Sequence, residues 1–173
     1  MKIFELIKED FNSYNLKSNI LFFYMKNPGF QCCCWFRICN QLWASKSKIL
    51  IKIAHLVYRH KEIKYGIQID YRTKIGKGFS IHHYNGIVVN INTVIGEYCS
   101  IRNNVTIGEK NGKSPIIGNN VFIGPNSCII GGIKIGDNSI VGAGSVVVKS
   151  FDNNSIIGGN PAKLINKENN DEN

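Results

Sequence analysis

The chain has 173 residues, of which 43% are hydrophobic and 19% are charged, so it is long and apolar enough for one packed domain. Its longest clean apolar runs, such as residues 20–25, fall far short of the ~20 residues that cross a bilayer, which excludes an integral membrane protein. Acidic residues at positions 5, 9 and 10 do not fit a secretory signal, so we expect a cytoplasmic chain with reduced cysteines.

The net charge of +9 is concentrated in the first third of the chain. Residues 1–66 hold eleven Lys or Arg and four Asp or Glu, a net charge of +7, whereas residues 67–173 hold ten and eight. A basic surface can attract phosphate, lipid headgroups or nucleic acid, although solvated lysines on helices explain the same excess. Because no RNA- or DNA-binding motif accompanies the charge, we expect no nucleic-acid partner.

Residues 1–66 are predicted to form a region of three or four short helices. Apolar side chains recur at helical spacing at positions 3, 4, 7, 11 and 14 and again at 49, 53, 56 and 57, which is typical of the packed face of an amphipathic helix. Asn27-Pro28-Gly29 is a turn signal between the two segments. The aromatic and cysteine-rich stretch, residues 22–24 and 32–36, is interpreted as core of this region. The alternative is a basic, aromatic surface that lies on the inner face of a membrane.

From residue 69 onward the sequence repeats with a period of six residues. An aliphatic residue opens each hexad, at Ile69, Ile75, Ile81, Val89, Ile95, Ile101, Ile107, Ile117, Ile123, Ile129, Ile135, Val141 and Val147. Gly follows that aliphatic at seven of these thirteen positions, and a small or apolar residue often stands four positions after it. An α-helix repeats near 3.6 residues and a half-buried strand near 2, so the period matches neither.

Short strands joined by tight corners explain this period. The aliphatic side chain points into a narrow interior, and Gly or Asn takes the left-handed conformation at the corner. Three hexads close one triangular coil, so thirteen predict a little over four coils, about 20 Å tall at the spacing of neighbouring strands. We therefore predict a mainly β protein, with the helical region at 1–66, a parallel β-helix at 67–165 and a disordered polar tail at 166–173.

Two steps of the repeat are longer than six residues, and each predicts a loop. Residues that a regular solenoid ejects form loops, and loops carry function disproportionately. The first loop contains His82, His83 and the residues up to Gly86, and the second spans residues 109–116. Lys110 and Lys113 in the second loop could meet phosphate groups or an acidic sugar, or they could be solvated.

Three segments carry a resemblance to a known family: IGKGFSIHHYNGIVVN, VTIGEKNGKSPIIGNNVFIGPNSCIIGGIKIGDNSIVGAGSVV and GGNPAKLI. They resemble the hexapeptide-repeat acyltransferases, and more closely the serine acetyltransferase branch and its relatives in surface-polysaccharide gene sets. The resemblance covers residues 66–165 and implies a left-handed parallel β-helix that assembles as a homotrimer. It also implies an active site between neighbouring subunits, with acetyl-CoA as co-substrate along the coils.

The resemblance assigns roles to individual residues. The family's catalytic histidine falls on His83, and its acetyl-CoA contacts fall on Gly124, Gly142, Ala143, Pro161 and Lys163. A neutral imidazole can take the proton from a hydroxyl that attacks a thioester and then return it to the departing thiolate. Glycine-rich coils can expose backbone N–H groups to the oxyanion. Direct transfer, without a covalent intermediate on the protein, is what the resemblance implies.

The chain departs from the serine-specific pattern of that branch. His82 stands where an acidic residue precedes the catalytic histidine, Gln68 where an aspartate orients it, and Ser114 where a second histidine lies in the inserted loop. A site for an ammonium group should offer a carboxylate, so these changes favour an uncharged, hydroxyl-rich acceptor such as a sugar. The predicted acceptor-site residues are His82, Gln68, Asp70, Arg102 and Asn103.

Arg102 and Asn103 enter that set because they should stack on His82 and His83 in the next coil. We predict an acetyl-CoA-dependent O-acetyltransferase that modifies a hydroxyl of a sugar or of a surface-polysaccharide precursor. Serine O-acetylation is the alternative among enzymes, and a non-catalytic β-helix scaffold is the alternative of another class. No metal is expected, because the solenoid holds only two histidines, adjacent in sequence, and no carboxylate cluster.

Overall fold

The computed structural model describes residues 2–45 and 48–167. The chain begins with four helices in this described part: α1 Ile3–Asn12, α2 Ile20–Lys26, α3 Pro28–Ala44 and α4 Lys48–Tyr65. Short strands follow from residue 67 to the end of the described chain. The mainly β class with a helical N-terminal region is therefore confirmed.

Asparagine side chains start two of the helices. The side-chain oxygen of Asn19 accepts a hydrogen bond from Leu21 N at 2.8 Å and begins α2, and that of Asn27 accepts one from Phe30 N at 2.8 Å and begins α3. Pro28 occupies the first turn of α3, where its missing N–H costs nothing. The predicted turn at Asn27-Pro28-Gly29 is therefore the N-terminus of a helix.

The strands form three parallel sheets that are wound as a three-sided coil. They are β1 Ile67–Ile69, β2 Lys74–Ile75, β3 Ser80–Ile81, β4 Ile87–Val89, β5 Val94–Ile95, β6 Ser100–Ile101, β7 Thr106–Gly108, β8 Ile116–Ile117, β9 Phe122–Ile123, β10 Cys128–Ile130, β11 Lys134–Ile135, β12 Ile140–Val141, β13 Val146–Val147, β14 Ser155–Gly159 and β15 Ala162–Lys167. The sheet orders are β1-β4-β7-β10-β13, β2-β5-β8-β11 and β3-β6-β9-β12-β14-β15. Consecutive strands lie in different sheets and every third strand returns to the same sheet, which confirms the parallel β-helix.

The repeating aliphatic residues form the interior of the coil. Of the thirteen, twelve are buried and only Ile75, in the first coil, is half-buried. The small or apolar residues that stand four positions later, such as Thr93, Cys99, Ser127 and Ser139, are buried as well. Each coil therefore buries its aliphatic side chains against the next, and the stack is stable as a unit.

The structure contains five coils, rather than a little over four. Strand β13 begins the fifth coil, Phe151 forms a bridge with Ile135 on its second side, and β14 forms its third side. Val147 pairs with Ile129, a separation of eighteen residues, whereas Ile157 pairs with Val141, a separation of sixteen. The fifth coil is two residues shorter, so the hexad pattern ends before the coil does.

The chain reverses after the fifth coil. Strand β15 pairs antiparallel with β14 and runs to Lys167, so residues 166 and 167 of the predicted tail belong to a strand. The rest of that predicted tail lies outside the described residues.

The helices close the open end of the first coil. Cys32, Cys33 and Phe36 of α3 are buried in one cluster with Phe79 and Ile81 of the first coil. The cysteine-rich stretch is therefore core, as predicted. All six cysteines are free thiols, and all except the half-buried Cys128 are buried.

Helix α4 differs from its prediction in orientation. Its inward face carries Ala54, Tyr58 and Glu62, which are buried, whereas Ile53 and Leu56 point outward and are exposed. The sequence predicted that this apolar stripe would pack against the rest of the protein, but it lies on the outer surface. Tyr58 points inward instead and donates a hydrogen bond to Ile69 O at 2.7 Å.

Candidate active site

One corner of the β-helix carries a continuous column of backbone from the first coil to the last. The residue after the inward-pointing aliphatic of the third strand stands here in each coil, and we call these five residues the corner column: His82, Arg102, Gly124, Gly142 and Gly158. The N–H of His82 donates to Ile101 O at 2.9 Å, and that of Gly124 donates to Val141 O at 2.8 Å. At the spacing of neighbouring strands the column is about 19 Å long.

The first inserted loop places His83 at the start of this column. Ile69 pairs with Val89, twenty residues away, so the loop adds two residues to the regular eighteen. His83 is exposed and has φ +54°, in the left-handed region that costs a non-glycine residue about 1 kcal/mol or more. Asn occupies this conformation, with φ between 53° and 60°, at five other corners: Asn104, Asn120, Asn126, Asn138 and Asn154. The imidazole thus adopts a conformation that asparagine takes at other corners, while Gly86 occupies the register position of Asn104.

His82 is held against the helical region. Its ring centroid lies 4.7 Å from that of Tyr14, whose hydroxyl donates to Ile81 O at 3.1 Å and accepts from Ile81 N at 3.0 Å. Burial, together with smaller effects of the charges of Arg102 and His83, lowers the pKa of His82 to about 4. His82 is therefore neutral at neutral pH. Sequence reasoning placed Tyr14 only on a helix face and did not assign it to the site.

Arg102 lies beside His82 in the next coil. Strand β3 pairs with β6 so that Ile81 faces Ile101, which brings Arg102 next to His82. Beyond this pair the inserted loop shifts the register, and Asn104 N donates to Asn85 O, so the predicted stacking of Asn103 on His83 stays a prediction. The Arg102 guanidinium lies 5.1 Å from the centroid of the Phe122 ring, a cation–π distance. The sequence places no Asp or Glu at 81–86, 101–104, 123–126, 141–144 or 158–163, so this corner is cationic.

The upper half of the corner column consists of glycines. A Cβ on Gly124 would lie 2.8 Å from Ala143 N, because Gly124 stacks directly on Gly142 and Ala143. In the last coil Gly158 pairs with Lys163 across the β14–β15 hairpin, which turns at Pro161, and the side chain of Ile165 lies over Gly158. The predicted acetyl-CoA residues therefore lie along the same corner as the histidines, and the exposed Lys163 stands at its far end.

The glycine N–H groups of the corner column already donate hydrogen bonds within the β-helix. Gly124 N–H and Gly142 N–H each donate to the next coil at 2.8 Å, to Val141 O and Ile157 O. They are therefore not available to an oxyanion, contrary to the expectation from the sequence. The guanidinium of Arg102, beside His82, is the positive group that this corner offers instead.

Gln68 and Asp70 lie in a different place. Both line a groove of about 540 Å³ between α4 and the first sheet, together with His55, Arg59 and other residues. Asp70 accepts hydrogen bonds from Arg72 at 2.7 and 2.9 Å, and this pairing lowers its pKa. Within the described residues, neither Gln68 nor Asp70 makes a hydrogen bond or ion pair with His82 or His83.

The second inserted loop is a two-residue β-hairpin at another corner. Asn111 and Gly112 both have positive φ, and the backbones of Lys110 and Lys113 exchange hydrogen bonds at 3.0 and 3.1 Å. Ser114 donates to Asn90 Oδ1 at 3.0 Å and ties the hairpin to the neighbouring coil. The hairpin follows a strand of the first sheet, whereas the histidines precede one, so a single chain presents the two loops at different corners.

Metal-ligating side chains do not gather at this site. In the part of the chain that the structure describes, no group of three or more His, Cys, Asp or Glu could hold a metal ion.

Comparison with known proteins gives consistent matches. Residues 114–149 match the family described as bacterial transferase hexapeptide, six repeats. The chain is 36% identical over 138 residues to WcaB of Escherichia coli (strain K12), whose name assigns it provisionally as a colanic acid biosynthesis acetyltransferase; the match covers 77% of this chain and 82% of WcaB. It is 38% identical over 134 residues to serine acetyltransferase 4 of Arabidopsis thaliana, covering 75% of this chain and 37% of that protein.

The structural comparison covers more of the chain. Soybean serine acetyltransferase complexed with serine superposes with a TM-score of 0.83 at 29% identity, over 94% of this chain and 69% of that one. The chain spans only 37% to 57% of the length of the serine acetyltransferases of Arabidopsis thaliana and Synechococcus elongatus that it matches. Because the chain covers 82% of WcaB at 36% identity and carries the repeat, it belongs to the hexapeptide-repeat transferase family, in its serine acetyltransferase-like branch.

Proposed function

We propose that this protein is an acetyl-CoA-dependent O-acetyltransferase that acts on a hydroxyl of a sugar or of a surface-polysaccharide precursor in the cytoplasm. The observation that carries the proposal is the exposed imidazole of His83 at the start of a corner column that continues as Gly124, Gly142 and Gly158.

His83 acts as general base in this proposal. The acceptor hydroxyl oxygen attacks the thioester carbonyl carbon while its proton passes to the imidazole; the carbon–sulfur bond then breaks, and the proton goes to the departing thiolate. Arg102 supplies positive charge for the oxyanion, since the amides of Gly124 and Gly142 are engaged. Lys163, at the far end of the corner column, would pair with the phosphate groups of CoA.

The acceptor site supports a sugar over an amino acid. His82 is neutral, Arg102 is cationic, and the corner contains no carboxylate that could pair with an ammonium group. Some relatives are named serine acetyltransferases, whereas WcaB is named for colanic acid biosynthesis, so serine O-acetylation is the competing activity. We expect release of free CoA thiol with nucleotide sugars or oligosaccharides as acceptors and little release with L-serine. Turnover with L-serine, and none with the sugar acceptors, would reverse this assignment.

The role of His83 has a closely matched variant. His83→Asn removes the base and keeps a residue that adopts the same corner conformation at five other positions. We expect turnover to fall by about 10²–10⁴-fold, the usual contribution of a general base, with an unchanged melting temperature. His60→Asn, an exposed histidine on α4, is the control and should keep full activity. Wild-type turnover by His83→Asn would refute this role.

A homotrimer is part of the proposal, because the two inserted loops stand at different corners of one chain. Side-by-side packing of copies would bring the hairpin of one chain to the His83 corner of the next. Light scattering should give about three times the chain mass of 19.4 kDa. Calorimetric titration with acetyl-CoA tests the scaffold alternative, since a folded trimer that does not bind acetyl-CoA would be a scaffold.

A further inference from the structure

The outer face of α4 is an apolar surface with nothing packed on it in the described chain. Ile49, Ile53, Leu56 and Ile63, which we call the outer stripe, are 75%, 61%, 74% and 68% exposed. Their spacing of four, three and seven residues places all four on one side of the helix, opposite the buried Tyr58. The exposed His60 lies between Leu56 and Ile63 on the same side, so the patch is apolar with one imidazole within it. An exposed apolar patch of this kind marks an interaction surface.

Basic side chains flank the outer stripe on both edges. At 100° per residue, Lys52 lies on one edge and Lys64 on the other, and both are exposed. The acidic residue of α4, Glu62, is buried, accepts a hydrogen bond from Ile69 N at 3.1 Å and lies 3.5 Å from Arg59. The solvent-facing surface of the described helix is therefore apolar and cationic, without an exposed carboxylate.

We propose that the outer stripe docks on the surface of a membrane that contains anionic lipids. The apolar side chains would enter the interface, while the lysines at the edges extend to lipid phosphates. A second copy of this chain fits less well, because pairing two such faces brings lysine against lysine with no carboxylate between them. Among the described residues no helix could cross a membrane, so the contact would be peripheral.

The docked helix would also hold the candidate active site near the lipid surface. Helix α4 ends at Tyr65, whose ring centroid lies 5.5 Å from that of Tyr84, the residue after His83. Gly66 O accepts a hydrogen bond from Ile87 N at 3.0 Å and joins the end of the helix to the first loop. This arrangement suits an acceptor carried on a lipid, a point that rests on the proposed function, whereas the docking itself does not.

The test is co-sedimentation of the full chain with vesicles. We expect binding to vesicles rich in phosphatidylglycerol, weak binding to phosphatidylcholine alone, and loss of binding at high salt. Ile53→Ser/Leu56→Ser should weaken binding at least about tenfold by removing buried apolar area. Lys52→Glu/Lys64→Glu should weaken it by about tenfold or more. Val148→Ser and Lys149→Glu, exposed positions in the fifth coil, should bind as wild type does.

Three outcomes would overturn the proposal. Wild-type protein could fail to sediment with phosphatidylglycerol vesicles, or the α4 and fifth-coil variants could weaken binding equally. Wild-type protein could also fail to bind vesicles while Ile53→Ser/Leu56→Ser lowers the particle mass in light scattering, which would make the outer stripe an interface between copies. Turnover on a free acceptor should be the same in all four variants, so failure of docking is distinguishable from failure of the proposed activity.

Discussion

His83 combines an unfavourable backbone conformation with a chemically useful side chain. Asparagine adopts the left-handed conformation readily because its short amide can bond to the local backbone, and histidine does so less well. The next coil is joined to this loop just beyond His83, since Asn104 N donates to Asn85 O at 2.9 Å. A residue that costs stability in an exposed loop is the pattern expected of a functional site.

The neutrality of His82 has a consequence for stability that can be measured. Its pKa is about 4 in the folded protein against 6.5 for an unperturbed histidine, so between these values only the unfolded chain carries the proton. The free energy of unfolding should therefore fall as the pH is lowered from 6.5 toward 4. Urea unfolding at pH 7, 6, 5 and 4.5 should show a steeper fall for wild type than for His82→Asn. A constant difference between the two proteins at every pH would contradict the assignment.

The thiols should differ sharply in reactivity. Burial raises the pKa of Cys32, Cys34 and Cys39 to about 12 and that of Cys99 to about 11, and the thiolate is the reactive form. In native protein at pH 8 we expect a disulfide reagent to modify the half-buried Cys128 first, and Cys128→Ser to remove that fast phase. The other thiols should react only in denaturant. Several fast thiols in the native protein would show that the helical region opens readily.

At the scale of the element, the corners are stabilised by ladders of asparagine. Asn120 Nδ2 donates to Asn138 Oδ1 at 3.0 Å, and Asn138 Nδ2 donates to Asn154 Oδ1 at 3.3 Å. The same backbone conformation in three successive coils places the side-chain amides one above another. Each ladder therefore links neighbouring coils outside the aliphatic interior.

Two substitutions at Asn138 separate the ladder from the backbone conformation. Both Asn138→Gly and Asn138→Ala remove the two side-chain hydrogen bonds, but only alanine is strained at φ +55°. We expect both variants to be less stable than wild type, and the alanine variant to be less stable than the glycine variant by about 1 kcal/mol. Urea denaturation measures both differences. Equal stability of the two variants would mean that the corner relaxes.

At the scale of the whole molecule, one buried ion pair joins the helices to the β-helix. The Arg37 guanidinium donates to both carboxylate oxygens of Asp10, at 2.8 and 3.0 Å, and also to Ile75 O and Gly76 O. Asp10 in turn accepts from Phe79 N at 2.9 Å. The pair thus satisfies backbone groups of the first coil that no further coil covers.

Breaking that pair from one side should be costly. Arg37→Met leaves the Asp10 carboxylate buried without its cationic partner, and we expect a loss of about 3–5 kcal/mol in the free energy of unfolding. Asp10→Leu/Arg37→Met removes both charges and should lose less. Lys77→Ala breaks an exposed pair with Glu97 at 3.5 Å and should change stability by less than about 1 kcal/mol. If Arg37→Met and Lys77→Ala were equally stable, the buried Arg37–Asp10 pair would not be what holds the helices to the β-helix.

The proposed intersubunit site predicts complementation between inactive variants. Trimers of His83→Asn lack the base, and trimers in which Gly-Gly replaces residues 110–113 lack the hairpin of the neighbouring chain. If each site needs His83 from one copy and the hairpin from another, random mixing of the two chains should restore about a quarter of wild-type activity. No restored activity after verified subunit exchange would place the whole site within one chain.

The hexad pattern was sufficient to predict the winding of the chain, its interior residues and the stacking of Arg102 on His82. These features follow from a local rule, since a six-residue side with a Gly or Asn corner repeats the same geometry wherever it occurs. The pattern could not predict the fifth coil, because Phe151 takes the inward position there after a shortened side.

Tertiary structure alone decided which residues surround the histidines. Tyr14 and His82 are 68 positions apart, and their contact depends on how the helices close the first coil. The same packing places Gln68 and Asp70 in the groove under α4 and turns the apolar stripe of that helix outward. Periodicity identifies the apolar faces of a helix but not which one finds a partner, because that choice depends on contacts between segments distant in sequence.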